Sequence, residues 1–343
     1  MDVSMTKHRS RRAFLAGSAA AVTIGVTGCT GSDSGGAGDG GDDTESGDSS
    51  GSTDTELADS MNIFHAGSLA PPFSAGEPEF EDEFGVDVNR EAQGSVASTQ
   101  KITQQGRSAD VLGTSDFRLI RNRVLPEFGG WYAIFTTNSM SIQYREDSPG
   151  ADDISKDNWW EVLSRDGITV GHSDPAVDPG GYRAVMMLQL GAEEFSGERL
   201  YDESTLDALT NNTTVPTGTE TNLEGQLESG ELDYVLYYQS ISATSGLPFI
   251  DLQPEVDLSQ ATSEYAEHYA KAEVETNSGT FTGAPIAYGL TVPSVAEAPV
   301  GVPSGSSTSR PTQAEQFLKN KASSRSTRSW SPQAPKKPSP TTC

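Results

Sequence analysis

From Ser60 onward, short apolar runs alternate with helix-like stretches, and many runs end in loops of glycine, serine or aspartate. This rhythm dictates an α/β architecture, with strands gathered into sheets, helices on their faces, and polar groups at the strand ends where open sheets bind ligands. The pattern predicts strands over 61–65, 86–91, 109–113, 131–136, 140–144, 168–172, 232–238, 249–252, 271–275 and 287–292. Two helices are best marked. One opens at Asp178-Pro179-Gly180-Gly181-Tyr182-Arg183 and runs to residue 190, with Asp178 as cap, Pro179 in the first turn and Gly191 as the close. The other covers 96–105, with Ser95 as cap and Gly106 as stop. The stretch 264–271, which holds His268, reads as an exposed helix. No internal repeat is present.

The amino-terminal end reads as an address. Arg11-Arg12 precede an apolar run over 13–26 that is too short to span a bilayer, the pattern of a twin-arginine export signal over residues 1–28. The run closes on Val26-Thr27-Gly28-Cys29, which resembles a lipobox, so Cys29 is expected to carry lipid after cleavage. Residues 29–58 are mostly Gly, Ser, Thr and Asp and cannot bury enough apolar surface to offset their ordering entropy; a disordered acidic tether is expected. The mature chain would be held at the outer face of the cytoplasmic membrane.

Charge narrows the partners. Residues 29–300 hold 47 acids against 12 bases. Such a surface repels polyanions and excludes nucleic acid as a partner. It resembles the acidic surfaces of halophilic proteins, which stay soluble where salt screens their repulsion, and a halophilic source is expected. Cys29 and Cys343 are the only cysteines, so no disulfide framework exists and stability must come from packing. A monomer is expected.

Two loops offer the same chemistry. His65-Ala66-Gly67-Ser68-Leu69 follows the first expected strand, and Gln93-Gly94-Ser95-Val96 precedes a helix. Each brings a hydroxyl and backbone N–H groups near a helix start, which suits a compact oxyanion, although Gly-Ser pairs equally serve as ordinary caps and turns. The run 232–240 reads as a buried strand that delivers Tyr238 to its end, where an aromatic ring is also a normal core residue. Nucleotide-binding glycine loops, a Gly-x-Ser-x-Gly elbow and a His-Glu-x-x-His zinc helix are all absent. His65 and His172 end expected strands but lack the spacing of a metal site. No cofactor and no enzymatic activity are expected. The rival from another class is a secreted serine hydrolase built from Ser68 or Ser95 with His65 or His172, which requires hydroxyl, imidazole and carboxylate in one hydrogen-bonded line.

Six segments carry a family likeness in order over residues 61–299: FHAGSLAPPF, AQGSVASTQKI, SADVLGTSDF, DPAVDPGGYR, LESGELDYVLYYQSIS and AYGLTVPSVAEAP. Together they resemble the molybdate/tungstate-binding proteins of ABC importers, above all their archaeal tungstate-type branch. The resemblance implies a two-lobed periplasmic-binding-protein fold of type II, closing on an anion in the inter-lobe cleft. It implies lobe one over 59–135, a hinge at 136–138, lobe two over 139–285 and a return to lobe one over 286–300. It also implies that Ser68 and Ser95 donate hydroxyl and backbone hydrogen bonds, and that Tyr238 donates from lobe two. A cage of preoriented neutral donors holds a dianion without any lysine or arginine. In the tungstate-type branch two carboxylates also ligate the metal of the bound oxyanion, a hard centre that favours oxygen. The positions that match are Asp178 and Glu220. Around Glu220 the chain departs from the family, with Thr217-Gly218-Thr219 where the family has an Arg-Pro-Lys-like stretch. Asp174 competes with Asp178 for that role, while Asp110 and Asp116 read as caps or bridges. The implied partners are the oxyanion, an ABC permease and its ATPase. Sulfate and phosphate stay open, because serine loops serve any tetrahedral dianion.

After Pro299 the acidic chain turns basic, and Ser, Pro, Lys and Arg replace the apolar periodicity of a closing helix and strand. One set of codons for Lys319 to Trp330, read from its third base, yields Glu-Gln-Gly-Phe-Val-Ala-Val-Asp-Pro-Val-Val, which resembles the family's carboxyl-terminal segment. A frameshift near residues 298–302 is therefore expected, leaving 301–343 as a disordered tail and Cys343 as incidental.

Overall fold

A computed structural model describes residues 59–216 and 220–296, and the side chains of all of these but Glu220 and Thr221. The export signal, Cys29, the tether and the basic tail lie outside the described residues.

The first half opens with β1 (Ser60–Ala66), whose outward Ser60 and Asn62 give way to a fully buried end at His65 and Ala66. It continues through α1 (Ala70–Phe84), β2 (Asp87–Gln93), α2 (Ser95–Thr103), β3 (Val111–Thr114), the short α3 (Phe117–Leu119) and β4 (Ala133–Thr137). Phe64, Ile102, Leu112, Ile120 and Val124 form the core of this lobe. Asn138 and Ser139 then carry the chain into β5 (Met140–Tyr144). The crossing falls slightly later than the expected hinge at 136–138, because Thr136 and Thr137 are still paired in the first sheet.

Lobe two proceeds through α4 (Trp159–Leu163), β6 (Val170–Gly171), α5 (Pro179–Ala192), α6 (Glu203–Asn212), β7 (Thr213–Thr214), α7 (Glu220–Glu228), β8 (Tyr234–Tyr238), α8 (Gln239–Ser245), β9 (Phe249–Asp251) and α9 (Ser263–Tyr269). A hairpin of β10 (Glu273–Thr276) and β11 (Gly279–Thr282) follows. The return segment ends in β12 (Ala287–Thr291), which pairs antiparallel with β3 and β4 of lobe one. Each lobe thus holds a five-stranded sheet, ordered β2-β1-β3-β12-β4 in one and β7-β6-β8-β5-β9 in the other. In both, three parallel strands are followed by an antiparallel strand beside the chain crossing. This is the mixed α/β, two-lobed design that the alternation of runs requires.

Helix α5 is the axis of lobe two, with Met186, Met187, Leu188 and Leu190 buried beside Trp159, Tyr234 and Leu236. A helix buried almost all round is apolar on most faces, which makes its two buried charged residues, Asp178 at the cap and Arg183 inside, informative.

Several expectations are corrected. Gly191 does not close α5. The helix runs on to Ala192, and a Cβ at Gly191 would stand 2.2 Å from Tyr201 Cζ, so close ring packing requires the glycine. Ser95 is the first residue of α2 and not its cap; Gly94 takes the cap, because a Cβ there would lie 2.2 Å from Val177 O. The His268 helix is not an exposed one: His268 and Tyr269 are buried, and His268 Nε2 lies 3.0 Å from Glu255 O. Strands β7 and β11 were not expected; both are short, threonine-bearing and without apolar alternation. Among the described residues no helix is long and apolar enough to cross a membrane.

Candidate functional site

The lobes meet where β1 and β3 of lobe one face the start of α5 and the end of β8. Ser68 sits in a 3-10 turn directly after β1 and is buried. Its Oγ accepts from Tyr288 Oη at 2.9 Å, and Tyr288 Oη in turn accepts from Asn138 Nδ2 at 2.9 Å. The Asn138 amide is oriented by its other end, since Oδ1 accepts from Ser139 N and Ser240 N. Amide N–H₂ is a pure donor, so the relay has one sense: Asn138 gives to Tyr288, Tyr288 gives to Ser68, and the Ser68 proton is directed onward.

Ser95 follows the same logic. Its Oγ accepts from Ser115 N at 3.0 Å and lies 3.1 Å from Ser115 Oγ. In lobe two, Tyr238 ends β8, and its Oη accepts from Arg183 Nη1 at 2.5 Å. The guanidinium thus occupies an acceptor side of the phenol oxygen and fixes where the hydroxyl sits. Asp178 caps α5, with Oδ1 accepting from Gly180 N at 3.1 Å. A Cβ on Gly180 would lie 3.5 Å from both Asp178 Oδ2 and Tyr238 Cε2, which places that carboxylate beside the tyrosine ring. Across the cleft, a Cβ on Gly94 would lie 3.0 Å from Asp178 Cβ. Rings of Tyr238 and Tyr288 meet edge to face with centroids 5.9 Å apart. Ser68, Ser95, Asp178 and Tyr238 are therefore gathered at one inter-lobe locus. The Glu220 side chain lies outside the described residues, but α7, which begins at Glu220, comes against the turn that carries Ser68.

Closure rests on a second set of contacts. Val96 N and Ala97 N of lobe one donate to Val177 O of lobe two, at 3.1 and 3.2 Å. Asp116, which caps α3 through Arg118 N, accepts from Tyr182 Oη at 2.7 Å and from the Arg118 guanidinium. Arg183 Nη2 stands 3.5 Å from the same carboxylate, and its Nη1 donates to Ser115 O at 2.8 Å. Burial pushes the Asp116 pKa up, but Arg183, Arg118 and Tyr182 outweigh it and pull it down to about 2. Asp110 accepts from Asn62 N, in line with a bridging residue, and Asp174, the competitor of Asp178 for the ligand role, accepts from Ala176 N.

Neither histidine joins a catalytic line. His65 Nδ1 donates to Ala66 O and His172 Nδ1 to Ser173 O, and burial lowers the pKa of both. No serine–histidine hydrogen bond links Ser68 or Ser95 to either ring among the described residues. Sequence reasoning missed Tyr288, Asn138 and Ser115. Tyr288 lies in the AYGLTV segment, so the likeness marked its neighbourhood, but its partner Ser68 is 220 positions away.

A family model described as bacterial extracellular solute-binding protein matches residues 61–325. That range passes Pro299, where the sequence reading placed the end of the likeness. A solute-binding protein of Petrotoga mobilis is 37% identical over 69% of this chain and 75% of its own length. The molybdate/tungstate-binding protein WtpA of Pyrococcus abyssi is 36% identical over 67% of this chain and 74% of its own. Among solved structures, the sulfate-binding protein SubI of Mycobacterium tuberculosis H37Rv superposes with a TM-score of 0.51 at 16% identity, covering 77% of this chain and 82% of that one.

Proposed function

We propose, from the fact that this chain belongs to the family of bacterial extracellular solute-binding proteins, that it captures molybdate or tungstate and delivers it to an ABC importer. The family is one of binding proteins and not of enzymes. The observation that carries the reading is the polarity of the hydrogen bonds at the cleft. Ser68, Ser95 and Tyr238 accept, respectively, from a relay headed by an amide, from a backbone N–H and from a guanidinium. Three hydroxyls are thereby held on their acceptor sides at the cleft, and a tetrahedral oxyanion supplies acceptors for hydroxyl donors on every side. Asp178, set beside Tyr238, is the carboxylate we assign to the metal centre of the oxyanion, with Glu220 at the start of α7 as the second.

In this reading residues 1–28 export the chain by the twin-arginine route, and Cys29 anchors it by lipid at the outer face of the membrane. A permease and its ATPase receive the anion from a monomer. The basic segment from residue 301 is the product of a shifted frame; the family match through residue 325 weighs against that, and resequencing the locus decides it. Titration calorimetry with molybdate, tungstate, sulfate and phosphate tests the function. Molybdate or tungstate should bind most tightly, and preference for sulfate or phosphate would replace the reading with a binding protein for that anion.

A further inference from the structure

Arg183 is the one lysine or arginine buried among the described residues, 1% exposed in a chain whose residues 29–300 carry 47 acids and 12 bases. It stands one turn into α5 and is the one charged residue within that helix. Nη1 donates to Tyr238 Oη and Ser115 O, and Nη2 faces Asp116. Nε makes no hydrogen bond among the described residues. The guanidinium lies 5.7 Å from the ring centroids of both Tyr182 and Tyr238. Burial works against its charge, yet the oxygens of Tyr238, Tyr182 and Asp116 hold its pKa above the ordinary arginine value, so it is a cation at every working pH.

A cation here is more than the neutral cage needs. The Asp116 carboxylate is shared by two guanidiniums, Arg118 and Arg183, so these three groups together carry one net positive charge on the Arg183 side of Tyr238. In a low-dielectric interior that charge reaches the next few ångströms with little screening, whereas the surface acids are screened by salt. Through the Arg183–Tyr238 bond it also strengthens the tyrosine hydroxyl as a donor, since polarised hydrogen bonds reinforce one another.

We propose that Arg183 is the specificity-determining residue of the cleft: acting through the Tyr238 hydroxyl, it sets a preference for doubly over singly charged tetrahedral oxyanions. The inference rests on the reading of the cleft as an oxyanion site. The alternative is that Arg183 only fastens the lobes through Ser115 and Asp116. The two are separated by an anion pair of like shape and different charge, namely tungstate and perrhenate.

The experiment measures both affinities by calorimetry for the full chain and for Arg183→Gln, with thermal unfolding as a control. Loss of the charge should weaken tungstate about a hundredfold and perrhenate no more than about tenfold, so the ratio falls at least about tenfold. Equal losses for both anions would overturn the proposal in favour of a fastening role. If Arg183→Gln does not fold, Arg183→Lys and Asp116→Asn decide. The lysine variant should hold the ratio within about threefold of the native value, and Asp116→Asn, which removes a counter-charge, should raise it at least about threefold. An unchanged ratio in Asp116→Asn, or a collapsed one in Arg183→Lys, overturns it. A native chain that binds neither molybdate nor tungstate would refute the oxyanion reading itself, a failure distinct from an unmoved ratio.

Discussion

The two lobes share one sheet design and bring different chemistry to the cleft. Lobe one presents the hydroxyls of Ser68, Ser95 and Ser115, held by hydrogen bonds among neutral groups. Lobe two presents the ionised groups, Asp178 at a helix cap and Arg183 inside the same helix, with Tyr238 between them. The carboxylate that lobe one does bring, Asp116, is turned to Tyr182 and the two arginines. The lesson is a division of labour: one lobe supplies geometry and the other supplies charge, and neither set is complete until the lobes meet.

The strongest way to break that comparison is to block the meeting itself. Gly94→Ala places a methyl 2.2 Å from Val177 O and 2.8 Å from Val177 C, backbone atoms of the opposite lobe that cannot step aside. Gly94 has φ −57°, so alanine is tolerated within lobe one. Anion affinity should fall about a hundredfold or more while the unfolding temperature stays near the native value. Gly181→Ala makes the contrast, because its Cβ would lie 2.1 Å from Ser173 O within lobe two. It should cost about 3 kcal/mol of stability by denaturant unfolding.

Next come the single groups. Ser68→Ala removes a donor from the neutral lobe and should weaken molybdate binding by about one to two decades without loss of stability. Asp178→Asn keeps the cap, since asparagine serves nearly as well as aspartate there. Unfolding should be unaffected and affinity should drop at least about tenfold; full affinity in calorimetry would reduce Asp178 to a cap. A smaller effect belongs to pH. The Asp116 pKa is depressed in the folded state, so its stabilisation is present above the unfolded carboxylate value and is lost as pH falls toward about 2. Asp116→Asn should therefore be less stable by about 2 kcal/mol at pH 7, with the gap closing at acid pH in urea titrations.

The smallest effect lies at Asp257 in lobe two, whose carbonyl accepts from Met140 N. Desolvation raises the Asp257 pKa to about 6, against a hydrogen bond from Ser259 N that lowers it. A raised carboxyl favours folding while protonated, so stability is lost as pH rises toward 6. Asp257→Asn should gain about 1 kcal/mol at pH 7 and nothing below about pH 4, with anion affinity unchanged. Altered affinity would show that the charge of Asp257 reaches the cleft as well.

Much of this was legible because it is local. Apolar runs marked ten of the twelve strands among the described residues, and Asp178-Pro179 marked the start of α5 to the residue. The Gly-Ser loops and the tyrosine at the end of β8 could be nominated from short patterns. What the sequence hid is what distance decides. Nothing near Ser68 announces Tyr288, nothing near Asp116 announces Tyr182, and Gly94 and Gly191 read as turn and stop signals until their neighbours, Val177 and Tyr201, are in place. Threonine-rich β7 and β11 escaped because pairing partners, and not their own side chains, make them strands.

One backbone contact has a further consequence. The amides of Val96 and Ala97 point at Val177 O, so the opening of α2 is stoppered by a peptide carbonyl from the other lobe. Helix starts attract anions, and the sequence invites the view that this one greets the ligand with its main chain. Two of its amides are instead occupied by the door. When the lobes part, those two protons pass to water and exchange with solvent; when they close, exchange stops. Deuterium uptake at residues 96 and 97 is thus a clock built into the chain, timing each opening without any label.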